Sequence, residues 1–117
     1  MAHALVVQLP VTGAFGTDDD FDLRTQLERE LGAALAREGA GECGRGEIDA
    51  GRMSVYVEGV ADVAAALRVV TDVLARLKQS HRATVVLETR CEADPDDIDR
   101  QILWPVHQPS PTPARVA

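Results

Sequence analysis

The sequence predicts an α+β fold in which two helices cover one face of a four-stranded antiparallel sheet. Residues 41–59 alternate apolar and polar side chains as two strands joined by a tight turn. A helix-length segment with apolar residues three and four apart flanks this hairpin on each side, and a strand-like run lies beyond each helix. The order is therefore strand–helix–strand–strand–helix–strand, and right-handed crossovers give the spatial order 4-1-3-2. This is the ferredoxin-like two-layer sandwich, βαββαβ, with a C-terminal extension.

The first half of the chain supplies one strand and one helix. Residues 4–9 alternate inward-facing and outward-facing side chains, and Pro10 ends the strand. Residues 21–38 carry leucines at helical spacing and predict the first helix. The three aspartates at 18–20 suit its N-terminus, where they can cap the helix and interact with the positive end of its dipole. Gly39 then ends the helix.

The second half supplies a hairpin, a helix and a strand. The hairpin turn is expected at Ala50 and Gly51, and the glycines of residues 41–46 are expected in turns and a bulged edge strand. Residues 61–79 predict the second helix, and residues 83–89 predict the fourth strand. Because each lies on an inward stripe, the residues expected to be nearly fully buried are Leu27, Leu31, Leu67, Leu74, Val55 and Val85.

We interpret residues 1–91 as the ferredoxin-like domain. Residues 92–104 form an extension that packs on this domain or on a partner, and within it Ile98–Trp104 is a short strand or helix. Residues 105–117 contain four of the six prolines of the chain. This composition predicts a flexible tail, because prolines at that density prevent regular packing.

The chain is acidic, with a formal net charge of −7. This charge disfavours nucleic acid and anionic membranes as partners, because both require a basic surface. It suits solubility or a basic protein partner, and solubility is the simpler explanation. No apolar run approaches the roughly 20 residues that span a bilayer, and the N-terminus lacks the features of a signal peptide, so a cytoplasmic location is predicted. One lysine against eleven arginines favours a GC-rich bacterial genome.

The hairpin carries a glycine-rich pattern that extends to the start of the second helix. The residues that form it are Gly46, Glu47, Asp49, Gly51, the apolar run 53–57 and Asp62. Through these residues, the segment 4–90 resembles a family of small uncharacterised bacterial proteins with a ferredoxin-like core and a G-E-x-D hairpin. The chain departs from the family pattern at Ala50 and Arg52. The resemblance implies the fold and brings no particular activity with it.

The sheet face turned away from the helices is the candidate interaction surface. An exposed apolar patch there would need cover from a second copy of the chain, a partner, a small ligand, or the chain's own Ile98–Trp104 segment. RNA-binding domains of similar topology stack bases on aromatic residues at this place, but the single tyrosine and the negative charge do not suit that use. The candidate residues of this surface are Val6, Gln8, Tyr56, Glu58 and Val86, with Trp104 as a plug.

An acidic cluster is the second candidate site. Glu47 and Asp49 are two apart on one strand and share a face, and Glu58 lies across the hairpin. Three carboxylates can bind a divalent ion or perform acid–base chemistry, although a polar edge strand explains them more simply. Cys43 and Cys91 are expected as separate reduced thiols on opposite sides of the sheet. Since no cysteine or histidine has metal-ligand spacing, we predict no metal and no cofactor.

These observations favour a non-catalytic protein-interaction or regulatory module of a bacterial cytoplasm, of an immunity or accessory type. The alternative is a small-molecule-binding or cofactor-independent enzyme domain that acts as a dimer, with a pocket between sheet and helices. The inward residues are aliphatic and no catalytic residue can be named, which favours the first reading. The predicted partner is a second copy of the chain or another protein.

Overall fold

The structure, a computed structural model, describes residues 2–44, 46–91, 93–94 and 96–105. It has an α+β fold in which a six-stranded antiparallel sheet carries two helices on one face. The sheet order is β2-β4-β1-β5-β6, and β3 also pairs with β4. The elements in chain order are β1 Ala2–Pro10, α1 Asp18–Glu38, β2 Glu42–Cys43, β3 Glu47–Asp49, β4 Arg52–Glu58, α2 Val63–Arg76, β5 Thr84–Arg90 and β6 Ile98–Trp104.

The predicted four-stranded ferredoxin-like sandwich is wrong, because the sheet has two more strands. The predicted second strand is divided into β2 and β3, which pair with opposite ends of β4. Cys43 pairs with Val57 and Glu47 with Ser54, so the pairing shifts by one residue between β2 and β3. Such a shift is a β-bulge, and it confirms the expected bulged edge strand. At the other edge, Ile98–Trp104 pairs with β5 and extends the sheet.

Helix α1 begins three residues before the predicted start, because Thr17 is its N-cap. The Thr17 side chain accepts a hydrogen bond from the Asp20 backbone amide, and Asp20 accepts one from the Thr17 amide, which completes a capping box. Asp20 also accepts a hydrogen bond from the Thr12 amide at 3.1 Å. The backbone hydrogen bonds from Thr17 and Thr12 lower the pKa of the Asp20 carboxyl below its usual value. Asp20 thus fixes the β1–α1 loop on the helix end.

The hydrophobic core lies between the helices and the sheet. The predicted core residues Leu27, Leu31, Leu74, Val55 and Val85 are fully buried, as expected. Leu67 is only half-buried, so its predicted near-complete burial is wrong. Helix α2 is turned so that its buried residues are Ala66, Val69, Val70, Val73 and Leu74, with Leu67 at the edge of this stripe.

The turn between β3 and β4 lies where the sequence predicts it. Ala50 and Gly51 both have positive φ angles, 53° and 78°, as a two-residue hairpin turn requires. The Gly51 amide donates to the carbonyl of Ala14, and the Val11 amide donates to the carbonyl of Gly51. The hairpin tip is therefore fastened to the loop that precedes α1. No helix in the described part of the chain is long and apolar enough to cross a membrane.

Candidate interaction face

The sheet face opposite the helices, termed the open face, carries a continuous row of apolar side chains. Val6 on β1 lies between its cross-strand neighbours Tyr56 on β4 and Val86 on β5, and Val86 is followed by Ile102 on β6. These four residues form the apolar row. Val6 is only 3% exposed because it lies at the centre, whereas Ile102 at the sheet edge is 57% exposed. The apolar character of the open face thus reaches its β6 edge.

Charged side chains surround the apolar row. A shallow depression of about 530 Å³ lies over the row, and its charged lining comes from Glu47, Asp49, Arg52, Glu88 and Arg100. Arg100 Nε lies 3.0 Å from Glu88 Oε2, so these two charges neutralise each other across β5 and β6. The Tyr56 hydroxyl donates a 2.9 Å hydrogen bond to Glu47. Burial, followed by this bond and the nearby charge of Glu47, raises the pKa of Tyr56.

The bulge between β2 and β3 determines that Glu47 and Asp49 belong to the open face. Directly paired residues of an antiparallel sheet share a face, and Glu47 pairs with Ser54 while Cys43 pairs with the core residue Val57. Without the one-residue shift, residue 47 would lie opposite Met53 and face the helices. The extra residue therefore places the two carboxylates on the open face and directs Ile48 to the core side.

The bulge itself is fastened to helix α1. Glu28 accepts a hydrogen bond of 2.7 Å from the Gly46 amide, and Arg24 donates to the Gly46 carbonyl at 3.4 Å. Gly46 is buried, and a Cβ atom there would lie 2.8 Å from the Glu28 carboxylate and 3.0 Å from the carbonyl oxygen of Ser54. Glycine is therefore favoured at this position, because a Cβ atom would force Glu28 and the β4 backbone to move.

The structure brings most of the predicted surface together. Val6, Gln8, Tyr56 and Val86 are close neighbours on the open face through the pairings of β1 with β4 and β5. Glu58 is on the same face but lines a separate depression, together with His3, Arg90 and others. Ile102 and Arg100 also belong to the open face, although they are not among the residues predicted from the sequence. Three consecutive polar residues, 99–101, separate Ile98 from Ile102, so no period-two alternation marks this segment in the sequence.

Trp104 does not lie on the open face, and the Ile98–Trp104 segment does not cover it. This segment is an edge strand beside β5. A register shift in the β5–β6 pairing places Trp104 opposite the core residue Val85, which turns its ring to the helix side. There it packs against the core, and its indole N–H donates a 3.0 Å hydrogen bond to the Ser80 carbonyl. The interpretation of Trp104 as a plug is therefore wrong.

The predicted acidic cluster is not assembled as one site. Glu47 and Asp49 line the depression over the apolar row, whereas Glu58 pairs with Glu42 near the other end of β4. Among the described residues, no group of three or more histidine, cysteine, aspartate or glutamate side chains could hold a metal ion. His107 and the predicted tail, apart from Pro105, lie outside the described residues.

Both cysteines are unbridged. Cys43 lies on β2 with its Cβ 3.8 Å from where a Cβ on Gly32 of α1 would stand, so its thiol packs against the helix. Burial, with a further contribution from Glu28, raises the pKa of Cys43 to about 11. The thiolate needed for nucleophilic chemistry is therefore scarce at neutral pH, and Cys43 serves packing.

Comparison of the chain with protein-family models, curated proteins and solved structures finds no match.

Proposed function

We propose that this protein is a non-catalytic interaction module whose open face binds a protein partner with an apolar centre and a basic rim. The apolar row carries the proposal: Tyr56, Val6, Val86 and Ile102 form an uninterrupted strip across four strands, ending at a residue that is 57% exposed. Apolar strips rimmed by polar groups are typical of protein–protein interfaces. The proposed location is the bacterial cytoplasm, as the composition favours.

The charges beside the row favour a basic partner. Among the described residues of the β2–β4 side, the open face presents four carboxylates, Glu42, Glu47, Asp49 and Glu58, against the guanidinium of Arg52, and Arg90 of β5 lines the depression beside Glu58. On the β5–β6 side, Glu88 is already paired with Arg100. The acidic side therefore has unbalanced negative charge, in a chain whose formal net charge is −7. Such a field accelerates association with basic proteins and weakens with added salt.

The packing of the interior supports binding on this face over a pocket between sheet and helices. Where the two layers meet, the described residues are aliphatic and buried, with Leu5, Val7, Leu31, Val70 and Leu74 at 0% exposure. A catalytic pocket would require convergent polar groups within an apolar cavity. The charged groups of the open face instead lie at the rim of a shallow, open surface, as suits recognition of another macromolecule.

Site-specific photocrosslinking tests the proposal in two steps. In cells of the source organism, p-benzoylphenylalanine replaces Tyr56 on the open face or, as the control, Phe21 on the helix layer. Both positions are aromatic, so the substitutions disturb packing to a similar extent. We expect a distinct protein to be crosslinked from position 56 and not from position 21.

The second step measures the affinity of the captured protein for two matched variants. D49K/E58K reverses two exposed carboxylates of the open face, and E38K/D72K reverses two exposed carboxylates of the helices. We expect D49K/E58K to bind at least about tenfold more weakly in low salt, and E38K/D72K to bind nearly as the wild type does. Equal crosslinking from both positions, or equal affinity of the two variants, would refute the open face as the binding surface.

A further inference from the structure

The two edges of the sheet differ in their capacity to accept another strand. One edge consists of β2 with 2 residues and β3 with 3 residues, separated by the bulge. Short and bulged strands protect an edge from pairing with other chains. The other edge is β6, a strand of 7 residues whose outer side is paired with no strand of the described chain. The sheet thus has one protected edge and one available edge.

The hydrogen-bond pattern shows which backbone groups of β6 are available. The Cys91 amide donates to the Asp97 carbonyl at 3.1 Å, whereas the Asp97 amide donates to the Asp94 carbonyl, so residues 91 and 97 occupy the position of a hydrogen-bonded pair next to the β5–β6 ladder and make one of its two bonds. In antiparallel sheets, hydrogen-bonded and non-hydrogen-bonded pairs alternate. The next pair, Arg90 with Ile98, therefore has backbone groups that point away from each other. By the same alternation, the residues of β6 with amide and carbonyl groups directed to the free side are Ile98, Arg100 and Ile102.

The opposite edge supports this assignment. The same alternation, carried across β1 and β4, requires the backbone groups of Tyr56 to point toward the β2–β3 edge. The Gly44 amide does donate to the Tyr56 carbonyl, at 2.7 Å.

We propose that two copies of this chain pair antiparallel through the free sides of their β6 strands, about a two-fold axis, and form one continuous sheet. We take a second copy as the occupant because pairing β6 with β6 uses the free edge of both copies. The dimer would then have only the short, bulged β2–β3 edges at its ends. Head-to-tail growth would require β2 and β3 to accept a strand, and their bulge is fastened to α1 through Glu28 and Gly46. Pairing of the same strand about a two-fold axis is an isologous contact, which ends at two subunits.

The side chains of the edge are compatible with this pairing. The three residues with free backbone groups have their side chains on the open face, in the order Ile98, Arg100, Ile102. Arg100 is neutralised by Glu88 at 3.0 Å, so two copies of it at the seam add no net charge. Ile102, the exposed end of the apolar row, would lie beside the second subunit. Because a two-fold pairing of these three residues is centred on Arg100, Ile102 would lie opposite Ile98 of the second subunit, and each apolar row would gain one apolar neighbour across the seam.

Backbone N-methylation tests the pairing without altering a side chain. The segment 91–117 begins with a cysteine, so it can be synthesised and joined to residues 1–90 by native chemical ligation, which restores the full chain. N-methylation of Arg100 removes one outward amide hydrogen and leaves the β5 ladder intact. N-methylation of Gln101 is the control, because the Gln101 amide points toward Leu87 of β5.

Sedimentation equilibrium and thermal unfolding then distinguish the outcomes. We expect the unmodified ligated protein to be a dimer, and the N-methyl-Arg100 protein to dissociate at least about a hundredfold more readily with little change in the melting temperature of the monomer. The N-methyl-Gln101 protein should lose folding stability instead, because it loses a ladder hydrogen bond. An unmodified chain that is monomeric at millimolar concentration, or a dimer that N-methyl-Arg100 leaves intact, would overturn the proposal.

Hydrogen exchange gives an independent measurement on the unmodified chain. The amides of Ile98, Arg100 and Ile102 should exchange slowly at concentrations where the protein is dimeric, and quickly after dilution to monomer. Fast exchange of these amides in a fully dimeric sample would contradict β6 pairing. The D49K/E58K variant should remain dimeric, so failure of partner binding and failure of dimerisation are separable.

Discussion

Substitution of Gly46 by alanine should destabilise the protein strongly, because the new Cβ meets atoms that cannot all move. It would lie 2.8 Å from Glu28 Oε2, 3.0 Å from the Ser54 carbonyl oxygen and 3.1 Å from Val55 Cγ2. Glu28 can rotate away, but that movement breaks its 2.7 Å hydrogen bond with the Gly46 amide. A hydrogen bond to a charged group contributes about 1.5–3 kcal/mol, and overpacking costs about 1–3 kcal/mol. The reduced entropy of the unfolded alanine chain offsets about 0.4–1 kcal/mol.

The expected loss for Gly46→Ala is therefore about 2–5 kcal/mol, a large part of the roughly 6–18 kcal/mol typical of a domain of this size. Urea unfolding followed by circular dichroism should show a midpoint lower by about 1–2 M. Gly44→Ala is the matched control, because a Cβ at Gly44 would have its nearest contact at 3.6 Å, and Gly44 has no positive φ. We expect that variant to lie within about 0.5 kcal/mol of the wild type.

A double-mutant cycle with Glu28→Ala separates the part of the loss that involves Glu28 from the part that comes from overpacking against Ser54 and Val55. Both the clash with Glu28 and its hydrogen bond to the Gly46 amide are absent in the Glu28→Ala background, so Gly46→Ala should cost at least about 1 kcal/mol less there, and the loss that remains reports the contacts with Ser54 and Val55. Equal losses for Gly44→Ala and Gly46→Ala, or a loss below about 0.5 kcal/mol for Gly46→Ala, would refute the close packing of the bulge.

Three further predictions concern the core, the helix cap and the buried thiol. Leu74→Ala should lower the free energy of unfolding by about 3–5 kcal/mol and Leu67→Ala by about 1–2 kcal/mol, since Leu67 is only half-buried; similar losses in urea titrations would contradict the orientation of α2. Asp20→Asn should reduce stability at neutral pH. Because the folded pKa of Asp20 is lowered, its contribution is complete above the unfolded pKa of about 3.9 and is lost as the pH falls through the folded value, so the melting temperatures of wild type and variant should converge in acid. Native Cys43 should react with iodoacetamide at pH 8 at least about tenfold more slowly than in the unfolded chain, because its pKa is raised to about 11; equal rates measured by mass spectrometry would contradict its burial.

The sequence predicts the central elements well because their signals are local. Ala50 and Gly51 form the hairpin turn because a two-residue connection requires positive φ angles, which glycine adopts readily. The period-two alternation in β1 and β5 correctly separates the core residue Val7 from the open-face residues Val6 and Val86. The helix start is less well predicted, because three consecutive aspartates conceal the true cap at Thr17.

The number of strands could not be predicted because both additional strands form at the edges of the sheet, where pairing depends on contacts between residues that are distant in sequence. Residues 98–104 do not alternate apolar and polar side chains, and it is the free side of β5 that determines their pairing as a strand. The prediction that Leu67 lies on the buried face of α2 is wrong for a related reason. Its apolar residues extend around much of the helix, and packing against α1 and the sheet selects Val69 and Val73 over Leu67. Long-range packing determines both the pairing of β6 and the buried face of α2, and no local sequence pattern encodes it.

A one-residue shift near each edge of the sheet determines which side chains reach the open face. At the β2–β3 edge, the shift turns Glu47 and Asp49 outward, away from a core in which unpaired carboxylates would be costly. At the β6 edge, the shift between Val85 and Val86 turns Trp104 inward, where its indole N–H finds the Ser80 carbonyl. Because side chains alternate with a period of two, each shift reverses every residue beyond it. The first shift places Glu47 and Asp49 on the open face, and the second places Trp104 on the opposite face of the sheet. Within the part of the chain that the structure describes, neither Trp104 nor the rest of β6 covers the apolar row.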